Sequence, residues 1–149
     1  MTLSDPVPEQ AVELADALRL SLKRIIQRIR QESDNDPTGL SLHQKMLLST
    51  ISMHPGIGVA ELARMEKLRG PTISGHVKTL ENAGLVVRDA PDAADRRRVG
   101  LRVSEQGLAL IEDIRSRRLD WLAHKLAALP PEGAEALRQA IAYLDEIGR

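Results

Sequence analysis

Leu14, Leu18, Leu22, Ile25 and Ile29 stand four, four, three and four residues apart, with Ala11, Ala15 and Ile26 beside them. That spacing draws one apolar stripe and predicts a long helix over residues 9–31. A turn-rich run, Ser33-Asp-Asn-Asp-Pro-Thr-Gly39, ends it. Ser41 followed by Gln44 fits a capping box opening a second helix, which carries Met46, Leu47 and Ile51 to about Met53. His54-Pro55-Gly56 stops that helix, and a short one from Val59 to about Lys67 buries Val59, Leu62 and Ala63. Gly70-Pro71 then starts a helix to about Ala83, with Ile73, Val77 and Leu80 on its inner face and Gly84 as its cap. The period next changes from 3.6 to 2: Leu85-Val-Val-Arg88 and Val99-Gly-Leu-Arg-Val103 read as strands around a polar loop ending in Arg96, Arg97 and Arg98. Ser104 caps another long helix running past Leu108, Ile111, Ile114, Leu119, Leu122 and Leu126. Pro130-Pro131 breaks it, and a last helix carries Ala134, Leu137, Ile141, Leu144 and Ile147.

A helix–turn–helix followed directly by a two-stranded wing is the plan of winged-helix nucleic-acid binders. The predicted fold is mainly α: a winged helix-turn-helix core over residues 40–103 within one domain spanning 1–149. Long terminal helices, 1–36 and 104–149, flank it. Their apolar stripes lie outside that core and need a surface to cover them. A symmetric second copy is the simplest one, so a homodimer is expected. On the helix of residues 70–83 the outward face carries Pro71, Gly75 and Lys78, flanked by Thr72, Ser74 and Thr79. That face is small, polar and lightly basic.

Composition narrows the picture. The chain has 149 residues, no cysteine and no phenylalanine, so disulfides, thiolate metal sites and cysteine chemistry are excluded and the core is aliphatic. The 21 Lys and Arg balance 21 Asp and Glu. The balance hides a layout: residues 64–102 hold nine basic groups against five acidic ones, while both ends are mildly acidic. Local charge governs attraction to nucleic acid more than the total does, because screening acts over about 8 Å at physiological salt. No apolar run is long enough for a membrane span, and the first residues lack a signal peptide's basic and apolar regions, so a cytoplasmic protein is expected.

Three segments resemble the MarR family of transcriptional regulators. Val59-Ala-Glu-Leu-Ala63 is similar to the first helix of its helix–turn–helix. The run from Pro71 to Arg88, with its Leu80-Glu-Asn-Ala-Gly-Leu-Val86 pattern, is similar to the recognition helix and first wing strand. Asp95-Arg-Arg97, with Ser104 and Gly107 beyond it, is similar to the wing's Asp-x-Arg and the Ser/Thr-x-x-Gly that opens the next helix. The resemblance spans nearly the whole chain. It implies a homodimer of intertwined terminal helices, recognition helices in successive major grooves, wing arginines at the minor groove, and often a small ligand that alters DNA affinity. By the same resemblance Arg97 takes the wing-arginine role and Asp95 that of orienting the loop or a nearby basic side chain. Two positions depart from the pattern: Gly75 stands where many members have arginine, and Arg69 where many have serine at the helix start.

The candidate partner is therefore double-stranded DNA. Its candidate contacts are Arg69, Pro71, Thr72, Ser74, Gly75, His76, Lys78 and Thr79 on the helix, and Asp95, Arg96, Arg97 and Arg98 in the wing. Arginine suits narrow A·T-rich minor grooves, where negative potential concentrates. Lys78 suits a phosphate or is simply an exposed helix lysine, and Gly75 either lets the backbone approach DNA closely, moving base contacts to Thr72, Ser74, His76 or Thr79, or is a tolerated glycine. A small-molecule effector would draw on Ile25, Ile29, His43, Met46 and Trp121, which equally make an ordinary core. The four histidines form no close ligand pair, so no metal and no cofactor is expected. No phosphate-binding glycine loop, nucleophile elbow or His-Glu-x-x-His is present, which argues against an enzyme. The competing reading is a winged-helix protein–protein module that does not bind DNA, which the neutral charge favours and the wing arginines oppose.

Overall fold

Helix starts fall where the chain supplies a start. Ser41 Oγ accepts from the Gln44 amide at 3.2 Å while Gln44 Oε1 accepts from the Ser41 amide at 3.0 Å, a reciprocal box that opens the helix Leu42–Met53. In full, the computed structural model describes residues 6–33, 36–91 and 99–149. Its elements are α1 (Glu9–Ser33), α2 (Leu42–Met53), α3 (Val59–Met65), α4 (Gly70–Asn82), β1 (Val86–Arg88), β2 (Leu101–Val103), α5 (Glu105–Ala127) and α6 (Pro131–Ile147). They divide into a winged unit, residues 36–116, and a helical unit of residues 1–35 and 117–149.

Within the winged unit, α3 ends at Met65, sooner than its apolar pattern predicts. Lys67 takes a left-handed φ of 53°, and the Leu68 amide turns back to the Ala63 carbonyl at 3.0 Å. This is a Schellman closure, here made by a lysine rather than a glycine. The same motif closes α4, where Gly84 at φ 72° lets the Leu85 amide reach the Leu80 carbonyl at 3.0 Å. Leu85 is thereby used in the cap, so β1 begins at Val86, one residue later than the apolar run.

β1 and β2 pair antiparallel with Val86 opposite Val103 and Arg88 opposite Leu101. Ile57, between α2 and α3, adds a bridge to the far side of Leu101: the Leu101 amide donates to the Ile57 carbonyl at 2.8 Å. The wing is thus stitched to the body of the unit. Beneath it Leu47, Leu48, Ile51, Leu62, Ile73, Val77, Leu80 and Leu101 are fully buried.

Ser104 and Gly107 join α5 to this core. Ser104 Oγ accepts from the Gly107 amide at 3.0 Å and donates to the Gly84 carbonyl at 2.6 Å. A Cβ on Gly107 would lie 2.3 Å from the Leu85 carbonyl oxygen, so no side chain fits there without displacement.

The helical unit contrasts with this. Its α6 has no buried residue. Leu18, Ile29 and Glu32 are half-buried on α1, whose other described side chains are exposed. Val12, Leu14, Leu22, Leu137, Ile141 and Ile147 are among the large apolar side chains left in solvent. Among the described residues no helix is long and apolar enough to cross a membrane.

Candidate nucleic-acid interface

α4 has two faces of different chemistry. Ile73, Val77 and Leu80 anchor it in the core, while Arg69, Pro71, Thr72, Ser74, Gly75, Lys78 and Thr79 are exposed. A Cβ built on Gly75 would meet nothing within 4 Å, so the middle of the outer face is open backbone. Thr79 Oγ1 donates back to the Gly75 carbonyl at 3.1 Å. His76 differs from its neighbours: it is half-buried and stacks on His43 of α2, ring centres 5.9 Å apart and planes 29° from parallel. That stack braces α4 from the side.

Among the described residues two ion pairs hold the wing. Glu81, in the last turn of α4, takes Arg88 of β1 through Nε at 2.6 Å and Nη2 at 3.2 Å. The hydrogen bonds to Glu81 raise the already high pKa of Arg88, against the opposing pull of desolvation. Arg102 of β2 pairs with Asp89 at 2.7 Å. Between α3, the start of α4 and the wing base lies a cleft of about 530 Å³ lined by Glu61, Arg64, Gly70, Ser74, Arg88 and Val99, among others. Arg64, Lys67, Arg69 and Lys78 form no ion pair among the described residues, and all four are exposed. This face therefore offers an outer surface of small side chains edged with available cations. The wing residues Asp95, Arg96, Arg97 and Arg98 lie outside the described residues.

The effector candidates fall in both units. Ile25, Ile29 and Trp121 belong to the helical unit, His43 and Met46 to the winged unit. Trp121 is half-buried in an open recess of about 440 Å³ with Glu32, Arg117, Asp120 and His124. Ile25 is exposed and Ile29 half-buried; His43 and Met46 are exposed.

The residues that position the site were less visible in the chain than those that form its surface. Asp36 and Lys45 make a buried ion pair at the start of the winged unit. Asp36 also accepts from the Thr38 hydroxyl, and from the Thr38 amide at 2.9 Å. Burial pushes the Asp36 carboxyl up, but the hydrogen bonds from Lys45 and Thr38 outweigh it and hold the group below the ordinary carboxylate value. Thr50 Oγ1 donates to Glu66 Oε1 at 2.8 Å, tying α2 to the end of α3. Strand register is the signal that points to Asp89 and Arg102, since Val87 pairs with Arg102 and places residue 89 beside it.

This architecture has close relatives. A family model described as the MarR family matches residues 38–98. A helix-turn-helix-type transcriptional regulator of Mycobacterium tuberculosis is 33% identical over 137 residues, covering 89% of this chain and 94% of that protein. A transcriptional regulator from Pseudomonas aeruginosa superposes with a TM-score of 0.79 at 26% identity, covering 96% of this chain and 99% of that one. A MarR family protein from Bacillus stearothermophilus superposes at 0.72 and 26% identity, covering 97% and 100%. A Staphylococcus aureus MepR variant, solved with an oligodeoxyribonucleotide, shares the fold at a TM-score of 0.72 and 20% identity, covering 91% and 98%. These matches over nearly the whole chain identify its family: the chain belongs to the MarR family of transcriptional regulators, which are not enzymes.

Proposed function

We propose that the protein is a homodimeric repressor that binds an inverted-repeat operator and responds to a small ligand. The observation that carries this reading is the division of α4: an apolar stripe fixed in the core, and opposite it a face of exposed small residues beside the wing. A helix so mounted enters a major groove without rearrangement. Residues 40–103 form the DNA-binding core, with Arg69, Pro71, Thr72, Ser74, Gly75, His76, Lys78 and Thr79 on the recognition helix. His76 contributes by holding the helix against His43. Asp95, Arg96, Arg97 and Arg98 supply the wing's approach to the minor groove and phosphates. Residues 1–36 and 104–149 pair with a second copy, which the exposed apolar faces of α1 and α6 support. A MepR variant that shares this fold is bound to an oligodeoxyribonucleotide, and that supports DNA as the partner of the winged core. An effector acts only through a difference in its affinity for two states of the protein.

Footprinting of the full chain on the intergenic DNA beside its own coding region tests this reading. Two protected half-sites about one helical turn apart are expected, with affinity falling steeply as salt rises. Titrating candidate ligands against the fluorescence of Trp121, the chain's only tryptophan, tests the effector response. No protected bases at any salt would leave a protein–protein module as the better account.

A further inference from the structure

The outer face of the recognition helix states which bases it suits. We infer that α4 reads thymine through its C5-methyl group, with Thr79 as a specificity-determining residue, so that the base pairs under the middle of the helix are A·T. This rests on the reading of α4 as the groove helix. Guanine is most often read by arginine or lysine bridging its O6 and N7 acceptors. From Gly70 to Asn82, α4 contains no arginine, and Lys78 is its one long cation. Of the two guanidinium groups bordering the adjacent cleft, Arg88 is held through Nε and Nη2 by Glu81, and Arg64 belongs to α3, not to the groove helix. His76, the other ring donor, is half-buried against His43.

Thr79 completes the argument. Its hydroxyl proton is committed to the Gly75 carbonyl at 3.1 Å, yet the side chain is exposed. What it retains for a partner is a methyl group and an acceptor lone pair, with no donor. Guanine's two acceptors find nothing in that set. The Thr79 acceptor suits adenine N6 or cytosine N4 alike, so the methyl group decides, because only an A·T pair sets a thymine methyl beside its donor. One turn back, Gly75 adds no side chain to hold the helix off the base edges, and Pro71 a turn before it presents an apolar ring without an amide proton. Pro71, Gly75 and Thr79 follow one another at intervals of four along the exposed face.

The test begins with selection of duplexes from a random library by the full-length protein, followed by thymine-to-uracil replacement, one position at a time, in one half-site of the enriched sequence. Uracil removes only the methyl group. At one position under Thr79 the replacement is expected to weaken binding about fourfold, the worth of one buried methyl. Thr79→Val, which keeps the shape and methyl and loses the hydroxyl, retains the thymine-over-uracil preference. Thr79→Ser, which keeps the hydroxyl and loses the methyl, abolishes it at that position. A residue that only stabilised the helix would move neither preference. A half-site core of G·C pairs, no uracil-sensitive position, or a preference that survives Thr79→Ser overturns the inference while the regulator reading stands. Failure to enrich any sequence overturns both.

Discussion

The winged unit and the helical unit are built from the same aliphatic palette, without phenylalanine or cysteine, and use it in opposite ways. In the winged unit eight large side chains are sealed from solvent, and backbone packs so closely at Gly107 that a methyl group is excluded. In the helical unit α6 buries nothing, and Ile141 and Ile147 remain 55% and 73% exposed. Isolated exposed leucines are ordinary in globular proteins, but a regular apolar stripe on each of two long helices is not. One unit is finished by its own side chains and the other awaits a surface. A DNA reader needs the first property, because its recognition helix must be held rigidly. An assembly element needs the second.

The largest expected effect comes from attacking the unfinished unit. Leu137 and Ile141 lie one turn apart on α6 and are 42% and 55% exposed. In a lone chain, replacing both by glutamate costs little, since neither is buried. If those faces cover each other in a dimer, Leu137→Glu with Ile141→Glu halves the mass measured by light scattering. Operator affinity then falls by about 10²–10⁴-fold as the two half-sites lose their linkage. A variant that keeps the mass and affinity of the parent would show that α6 is not what the second copy covers.

Next in size is the buried pair at the edge of the winged unit. Asp36→Ala removes a buried counter-charge from Lys45 and is expected to cost about 3–5 kcal/mol in urea unfolding. The pH dependence has a definite sign. The folded pKa of Asp36 is lowered, so its contribution is complete above the unfolded value of about 3.9 and is lost as pH falls through the lower folded value. The parent protein should therefore lose stability across that acid window, and Asp36→Ala should lose less of it. Equal acid slopes in the two proteins would refute the assignment.

How much of this was legible in the chain depends on whether the cause was local. Ser41 with Gln44, Gly70-Pro71, Gly84 and Ser104 each mark a helix end by chemistry complete within a few residues, and α2, α4 and α5 begin or end there. The α3 boundary was missed because a lysine, Lys67, occupies the left-handed position where glycine is the usual marker. The Ile57 bridge to Leu101 spans more than forty residues and has no local trace. Asp36 sits in a run of Asp, Asn, Pro and Gly that reads as a solvated turn, and only the folded chain brings Lys45 over it. The small polar face of α4 was visible from helical periodicity alone. The engagement of His76 and Arg88 was not, because each depends on the position of a partner in another part of the fold.

A smaller effect separates the units by a single methyl group. Gly107→Ala places Cβ 2.3 Å from the Leu85 carbonyl and 2.5 Å from Val103 Cγ1, and is expected to destabilise by about 1–3 kcal/mol. Gly133→Ala, in the first turn of α6, meets nothing nearer than Pro130 at 3.6 Å. There the better helix propensity of alanine should raise stability by about 0.5–1 kcal/mol. Opposite signs for one chemical change, measured by thermal unfolding, would sharpen the contrast; equal signs would remove it.

The smallest change in stability, and the one that divides folding from function most cleanly, is Gly75→Ala. The residue is exposed in mid-helix with empty space around it, so alanine should stabilise α4 by about 0.5–1 kcal/mol. Folding alone therefore gives no reason for glycine. If the groove approaches the backbone at this point, the added methyl group instead separates helix from base edges and weakens operator binding by about 1 kcal/mol, roughly fivefold. The two readouts move in opposite directions, which no general loss of structure can produce. A variant that melts higher and binds its operator as tightly as the parent would mean that Gly75 is merely tolerated and that the recognition helix stands off the DNA at its middle.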